Sequence, residues 1–173
     1  GETREGFLWV NHENFAHGLL QRSNATHGKP KPKREVLEEQ KLVGGSILRI
    51  RSNGPGEWSL VPQDPRNRRI SGQTRIPFSG GHRIRGSSSA VGTLANCAGG
   101  MTPWKTFLTC EENYDHFYGE RVFDASGKPT PQISRSKVPH DWESVFSYPP
   151  EHYGWVVEVD PWTGRCQKHV SLG

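Results

Sequence analysis

The chain has 173 residues, and glycine and proline (20 and 13 residues) together make up about 19% of it. That share lies above the usual ~12% but below the ~25–30% typical of low-complexity chains, so we expect one loop-rich globular domain. The net charge is only +4, and no apolar run approaches the ~18–20 residues of a membrane helix, so we expect no membrane partner.

In chain order, the sequence predicts short strands separated by turns, with a single short helix. The helix is expected at residues 35–42, where it ends before two glycines. The last two strands are separated by a Pro- and Gly-containing turn, which predicts a hairpin. The predicted strands cover residues 6–10, 46–51, 57–61, 106–110, 154–159 and 166–170.

Two stretches, residues 62–92 and 123–150, are rich in Arg, Ser, Pro and Gly and predict loops without regular structure. Loops of this length inside a compact domain are usually functional or mobile. Repeated hairpins with such loops indicate an all-β fold, either a sandwich or a propeller. The sequence shows no fixed repeat that would choose between these two architectures.

A basic run at residues 29–34 and a sequence pI of about 9.1 allow a nucleic-acid-binding domain as an alternative. The aromatic residues are not interleaved with the basic ones, as a single-strand stacking surface would require. A solvated loop explains the run better, and we expect no nucleic-acid partner.

The densest group of chemically useful residues lies between Cys97 and Glu112. Two glycines follow Cys97 closely, and a short strand then leads into the adjacent pair Glu111 and Glu112. Neighbouring residues on a strand point to opposite faces, so both carboxylates can serve one site only where the strand ends or bulges. A thiolate selects a transition metal and carboxylates suit hard cations, which is compatible with a mixed iron and calcium site. The alternative is a buried cysteine beside a solvated glutamate pair.

The segment from Asn96-Cys97-Ala98 through Thr102-Pro103-Trp104 to Cys110-Glu111-Glu112-Asn113 closely resembles the motif of the PhoX-type alkaline phosphatases. Three weaker matches follow the order of the same family and extend the resemblance over nearly the whole chain. They are Leu8-Trp9-Val10-Asn11-His12-Glu13, Asn67-Arg68-Arg69-Ile70-Ser71-Gly72, and the run from Glu151-His152-Tyr153 to Val159-Asp160-Pro161.

The resemblance implies a β-propeller that is exported by the twin-arginine route to the periplasm or the outside of the cell. It also implies hydrolysis of phosphomonoester substrates by a buried cluster of two ferric irons and calcium ions, with a thiolate on iron and a metal-bound oxygen as nucleophile. In that case the serines at 87–89 need no catalytic role. The alternative is a non-catalytic propeller or binding module that has lost the complete cluster.

Carried over to this sequence, the resemblance implies that Cys97 is the thiolate ligand of iron. It does not assign individual carboxylates to iron or to calcium, and it leaves the catalytic residues unknown. The carboxylate candidates are Glu13, Glu111, Glu112 and Glu151, and the candidates for groups behind the ligands or in contact with substrate are Asn96 and His12.

Other positions carry less specific expectations. Cys110 and Cys166 are expected to be structural, and a disulfide between them is left open. Arg68 and Arg69 are candidates either for phosphate contacts or for ordinary ion pairs. Lys105 departs from the family motif, where a glycine is expected.

Members of this family are several times longer than 173 residues. We therefore expect residues 1–173 to be the N-terminal portion of a single β-propeller phosphatase domain, contributing about two blades with long loops and one short helix. The remaining C-terminal part, in the same or a second chain, would supply the other ligands, and the isolated portion is expected to be inactive.

Overall fold

The computed structural model describes residues 4–15, 31–134 and 140–170. Within these ranges the chain is mostly β, as predicted, with strands that are generally short. The strands are β1 (Glu5–His12), β2 (Gly44–Gly54), β3 (Glu57–Leu60), β4 (Arg68–Ile70), β5 (Arg75–Pro77), β6 (Ser89–Val91), β7 (Asn96–Met101), β8 (Phe107–Glu111), β9 (Glu120–Phe123), β10 (Pro129–Ser134), β11 (Val156–Val159) and β12 (Cys166–His169).

The first sheet is organised around β2, its longest strand. β1 pairs antiparallel along one edge of β2, from Glu5 opposite Arg51 to His12 opposite Gly44. β3 and β4 share the other edge, each opposite a different part of β2. This arrangement brings the end of β1, which carries the His12-Glu13 pair, to the start of β2.

The second sheet contains four antiparallel strands in the order β12-β11-β8-β7. The hairpin predicted near the C-terminal end is confirmed, since Val156 pairs with His169 and Val159 with Cys166. β8 lies against the other edge of β11, and β7 forms an outer strand of the sheet. This sheet holds Cys97 and Glu111, and Glu112 follows directly after β8.

The prediction that residues 62–92 and 123–150 lack regular structure is wrong in part. The first stretch contains β4, β5 and β6, and the second contains β10, which pairs with β9. Three of these strands are only three residues long, too short for a periodic hydrophobic pattern to mark them. Their pairing depends on long-range partners, which composition does not indicate.

The predicted helix is confirmed as α1 (Lys33–Leu42), preceded by Pro32 and followed by the turn at Gly44, whose φ is +97°. A side chain at Gly44 would meet the carbonyl oxygen of Ile70 at 2.2 Å, so only glycine fits there. A second, four-residue helix, α2 (Asp115–Tyr118), was not predicted. Over the described ranges, neither helix has the length and apolar character needed to cross a bilayer.

Two groups of buried side chains stabilise these elements. One lies between α1, α2 and the segment around Trp142, where large aromatic side chains stack on one another. The other lies between the two sheets and is aliphatic. Its buried members are Ile47, Ile70, Ile76, Val157 and Val159. The second group fixes the first sheet against the sheet that carries Cys97.

Candidate metal centre

Cys97 lies at an irregularity in the pairing of β7 with β8. Asn96 is opposite Glu111 and Ala98 is opposite Cys110, so Cys97 is the extra residue between two paired positions. Such a bulge redirects a side chain away from the regular alternation of the strand. The Cys97 Sγ lies 3.9 Å from the carbonyl oxygen of Cys110 and is partly exposed.

The chain enters this bulge through a constrained turn. Ala95 has φ +53°, a left-handed conformation that residues with a Cβ rarely adopt. Its carbonyl oxygen accepts a hydrogen bond of 3.1 Å from the backbone N–H of Glu112. The buried backbone of Ala95 therefore holds Glu112 beside the turn that presents Cys97.

Two carboxylates act on the Cys97 thiol. Its pKa is raised to about 11, chiefly by hydrogen bonding with the carboxylate of Glu112, then by burial, by the charge of Glu112 and by the more distant charge of Glu13; the backbone N–H of Ala98 opposes these effects. Glu112, and more weakly Glu13, thus act electrostatically on the Cys97 thiol. The thiol therefore keeps its proton to a higher pH than an ordinary cysteine, because its anion would be repelled by the carboxylates.

Glu111 points the other way, as strand alternation predicts for adjacent residues. Its two carboxylate oxygens accept hydrogen bonds of 2.7 and 2.9 Å from the ammonium group of Lys168, and both side chains are fully buried. The carbonyl oxygen of His152 accepts a third bond from Lys168, and the Tyr153 ring lies 4.5 Å from the ammonium nitrogen. Glu111 is therefore compensated within the protein.

Glu151 is likewise paired with cationic side chains. It lies in the short 3₁₀ turn Pro150–His152, and Arg121 donates to it from Nε at 2.7 Å. Arg85 lies 3.5 Å from the same carboxylate. Burial acts to raise the pKa of Glu151, but the hydrogen bonds from Arg121, a backbone hydrogen bond and the charges of Arg121 and Arg85 together outweigh it and lower this pKa. The Lys168 and Arg121 partners were not predicted, because a lysine or arginine in a polar run gives no sign that it is buried.

The two predicted supporting residues lie just behind the candidate ligands. His12 contacts the hydroxyl of Ser46 at 2.9 Å, and its pKa is lowered by burial and by the charge of Arg69. Asn96 is fully buried and donates to the hydroxyl of Thr93 at 2.8 Å and to that of Thr109 at 3.4 Å. Each therefore belongs to a hydrogen-bonded network next to a candidate ligand.

The arginines considered for phosphate contacts bind the backbone. Arg69 donates to the carbonyl oxygens of Lys41 and Val43 at 2.9 Å, which caps the end of α1. Arg68 donates to the carbonyl oxygen of Thr163 at 2.6 Å. In the described structure these contacts are structural.

The three cysteines are free thiols, so the disulfide left open between Cys110 and Cys166 is absent. Cys110 is on β8 and Cys166 on β12, with β11 between them. Lys105 has φ +68°, a backbone conformation that favours glycine and matches the glycine expected from the family motif.

A groove of about 420 Å³ runs between β1 and β7 and includes Cys97 in its wall. The other lining residues are mostly apolar or glycine, among them Trp9, Gly100 and Phe107. A separate cavity of about 560 Å³ is lined by Glu158, Arg165 and other residues outside the predicted set. We assign the candidate site to the smaller groove, because it alone of the two contains a predicted ligand.

Cys97 and Glu112 provide some, but not all, of the donor atoms that a metal ion needs. The Cys97 thiol, on which Glu112 and more weakly Glu13 act, has no cationic partner in the described ranges, and a bound metal would replace the thiol proton. Across residues 4–15, 31–134 and 140–170, however, no three His, Cys, Asp or Glu side chains stand close enough to enclose an ion. Cys97 and Glu112 would therefore supply part of a coordination sphere, to be completed by other donors.

Comparison with known proteins places these features in a family. The family model of alkaline phosphatase PhoX matches residues 1–173. Among solved structures, the chain is similar to Pseudomonas fluorescens PhoX in complex with vanadate, a transition state analogue, with a TM-score of 0.70 and 27% sequence identity. A comparison with curated proteins found no match.

The similarity to the solved structure covers 97% of this chain but 32% of the other, so the chain spans about a third of that protein's length. The mostly β architecture with several sheets is accordingly that of a partial propeller. The chain belongs to the alkaline phosphatase PhoX family.

Proposed function

We propose that this chain is the N-terminal portion of a β-propeller phosphomonoesterase that works with a metal cluster, and that it contributes the Cys97 side of that cluster. The observation that carries the proposal is the family match over residues 1–173. The effect of Glu112 on the Cys97 thiol supports it locally, because it links two parts of the family motif, one of which lines the groove.

In this proposal, Cys97, Glu112 and Glu13 bind the metals, and the metals are ferric iron and calcium. When bound, such cations neutralise charge on the phosphoryl group and activate an oxygen nucleophile. Cys97 must give up its proton to bind, so loading should release a proton and weaken as the pH falls. The proton comes from Cys97, so its release can be followed by titration.

Glu111 and Glu151 were also predicted as ligands, and the proposal assigns them a supporting role. Lys168 binds both oxygens of Glu111, and Arg121 binds Glu151, so each would first have to break a partly or fully buried ion pair. Breaking a buried pair leaves an uncompensated charge and is strongly unfavourable. Glu111 then serves to fix the end of β8, which presents the following residue to Cys97.

His12 and Asn96 act behind the ligands. His12 precedes Glu13 and is held by the hydroxyl of Ser46 at 2.9 Å, so it orients the end of β1. Asn96 precedes Cys97 and is buried among hydroxyl groups that fix the entrance to the bulge. The proposal gives both residues a part in orienting the ligands.

The proposal also includes a partner and a location. The remaining part of the propeller, in the same or a second chain, would complete the coordination sphere, and residues 1–173 alone are expected to be inactive. Export to the periplasm or beyond is expected from the family resemblance. Fractionation of cells producing the native protein would test this location.

The alternative is a non-catalytic propeller module that lacks a complete cluster. One observation favours it: fewer than three candidate donors converge in the part of the chain that the structure describes. The two proposals differ in metal content, because an intact native protein without iron would select the non-catalytic module.

Elemental analysis of Cys97→Ala tests the phosphatase proposal. The native protein should contain iron and calcium and absorb visible light through a thiolate-to-iron transition. Cys97→Ala should lose the absorption band and most of the iron, and hydrolysis of an aryl phosphate should fall by about 100-fold or more, since a metal ligand is removed.

Cys166→Ala is the matched control, since it removes a free thiol that lies three strands away from β7. It should keep the iron, the absorption band and the activity. Retention of iron and full activity in Cys97→Ala would contradict the assignment of the thiolate.

A further inference from the structure

A chain of hydrogen bonds, buried at Thr109 and Asn96 and reaching the wall of the groove at Asn11, joins the two sheets at the candidate site. The hydroxyl of Thr109 donates to the side-chain oxygen of Asn11 at 2.7 Å, although 98 positions separate the two residues in sequence. The side chain of Asn96 donates to the same hydroxyl at 3.4 Å. We call these three residues, Asn11, Asn96 and Thr109, the Thr109 latch.

The latch lies between the strands that carry the candidate ligands. Asn11 is on β1, two residues before Glu13, and Asn96 is on β7, directly before Cys97. β1 pairs with β2 and belongs to a different sheet from β7. Ladder hydrogen bonds therefore do not set the distance between Glu13 and Cys97, and side-chain contacts must do so.

The surroundings of Thr109 make its hydroxyl costly to remove. Thr109 and Asn96 are fully buried, and buried polar groups strongly favour having a partner. The Asn11 oxygen also accepts the indole N–H of Trp9 at 2.6 Å, so the β1 end of the latch is held twice. An apolar side chain could fill the space of Thr109, but it could not hold Asn11 and Asn96 together.

We propose that Thr109 is a positioning residue that fixes the end of β1 against Cys97. It thereby sets how β1, which leads into Glu13, lies relative to β7 at the candidate site. The geometric part of this inference depends on the hydrogen bonds alone. Its consequence for metal binding rests on the proposed function. Residues behind metal ligands commonly change metal affinity by about 10–100-fold when they are replaced.

The variants Thr109→Val and Thr109→Ser separate hydrogen bonding from packing. Valine keeps the shape and removes the hydroxyl, whereas serine keeps the hydroxyl and removes a methyl group. Thr106→Val is the matched control, because it removes a hydroxyl that binds Glu158 at 2.6 Å in the same sheet without touching the latch. Asn11→Leu removes the acceptor of the Thr109 hydroxyl and is used in place of Thr109→Val if that variant does not fold.

The first measurement is the rate at which iodoacetamide alkylates Cys97 in the metal-free chain, followed by mass spectrometry of the Cys97 peptide. Loosening the latch should let β1 move away from β7, which exposes Cys97 in the groove between them and withdraws the charge of Glu13. This should raise the rate by about tenfold in Thr109→Val and Asn11→Leu. Thr109→Ser and Thr106→Val should stay within about twofold of the original chain. An unchanged alkylation rate in Thr109→Val, or an equal rise in Thr109→Ser, would contradict the positioning role of Thr109.

The second measurement uses the intact protein, including the rest of the propeller, after its metals have been removed. It is titrated with cobalt(II), and binding is followed by the thiolate-to-cobalt absorption. Thr109→Val should weaken cobalt binding by about tenfold or more, and Thr109→Ser should restore it. Equal binding in these two variants and the original chain would overturn the effect of the latch on the metal. No thiolate band in the intact protein, or a band that persists in its Cys97→Ala variant, would instead overturn the proposed function, and the alkylation rates would still test the positioning role of Thr109.

Discussion

Two neighbouring carboxylates, Glu111 and Glu112, lie in opposite electrostatic settings although they are adjacent in the chain. Glu111 is buried and receives two hydrogen bonds from Lys168, so its charge is matched within the protein. Glu112 is exposed and lies beside the Cys97 thiol with the charge of Glu13 nearby. A carboxylate with its own cation serves the fold, whereas a carboxylate and a thiol that have no cationic partner among the described residues are suited to binding a cation from outside.

The largest effect is expected from removing the internal cation. Lys168→Met would leave Glu111 buried and uncompensated, which should lower the free energy of unfolding by about 3–5 kcal/mol. Urea unfolding at neutral pH measures this loss. Lys128→Met is the control, because Lys128 is exposed in the turn between β9 and β10 and should change stability by less than about 0.5 kcal/mol.

The double variant Glu111→Gln with Lys168→Met sharpens the same test. It removes both charges, so it should recover a large part of the stability lost in Lys168→Met. If Lys168→Met unfolds at the same urea concentration as the original chain, the distinction between a compensated and an uncompensated carboxylate fails.

On the other side of the comparison, Glu112→Gln should change reactivity rather than stability. Glu112 is the leading cause of the raised Cys97 pKa of about 11, so its removal should bring this pKa toward the ordinary value of 9.0. A lower pKa gives more thiolate at a given pH, and alkylation of Cys97 below pH ~9 should become about tenfold faster.

Glu120→Gln, at the exposed start of β9, is the control for this change of charge. It should leave the alkylation rate of Cys97 within about twofold of that of the original chain. If the alkylation rate of Cys97 depends on pH in the same way in Glu112→Gln as in the original chain, this carboxylate does not act on the thiol.

A smaller effect is expected at Glu158, a carboxylate held mainly by neutral donors. Burial acts to raise the pKa of Glu158, but hydrogen bonds from Thr106, Trp104 and Gln167 outweigh it and lower this pKa to about 2. Because the folded-state pKa lies below the ordinary 4.5, the stabilisation is present above pH 4.5 and is lost as the pH falls toward about 2.

Glu158→Gln should therefore lower the free energy of unfolding by about 1 kcal/mol at neutral pH and by less near pH ~3. Urea unfolding at the two pH values measures the difference. Glu57→Gln, on the exposed strand β3, should show no such dependence. An equal loss at both pH values would assign the effect of Glu158 to packing and not to its charge.

Local sequence rules predicted the elements whose partners are near in the chain. The turn after residue 159 predicted the β11–β12 hairpin, and the glycines after residue 43 predicted the end of α1. Alternation along β8 predicted that Glu111 and Glu112 would face different surroundings. The glycine expected at position 105 is matched by the left-handed backbone of Lys105.

The features that sequence reasoning missed depend on distant partners. Lys168 occurs in a polar run that reads as exposed, yet the register of β12 turns its side chain inward toward Glu111. Thr109 resembles any strand threonine until β1 is brought against β8. The three-residue strands β4 to β6 have too few residues for a hydrophobic period. In each case the information is in the pairing of segments and not in either segment alone.

The irregular pairing at Cys97 has a consequence for how this family can vary. Because a strand presents alternate residues to alternate faces, deleting one residue from this irregularity would restore regular pairing and reverse the side of the sheet to which the thiol points. Substitutions around the groove change its lining by degrees, whereas a change of one residue in strand length would relocate the sulfur altogether. We expect related sequences to differ in the side chains around this groove but to keep the same number of residues between Asn96 and Glu111.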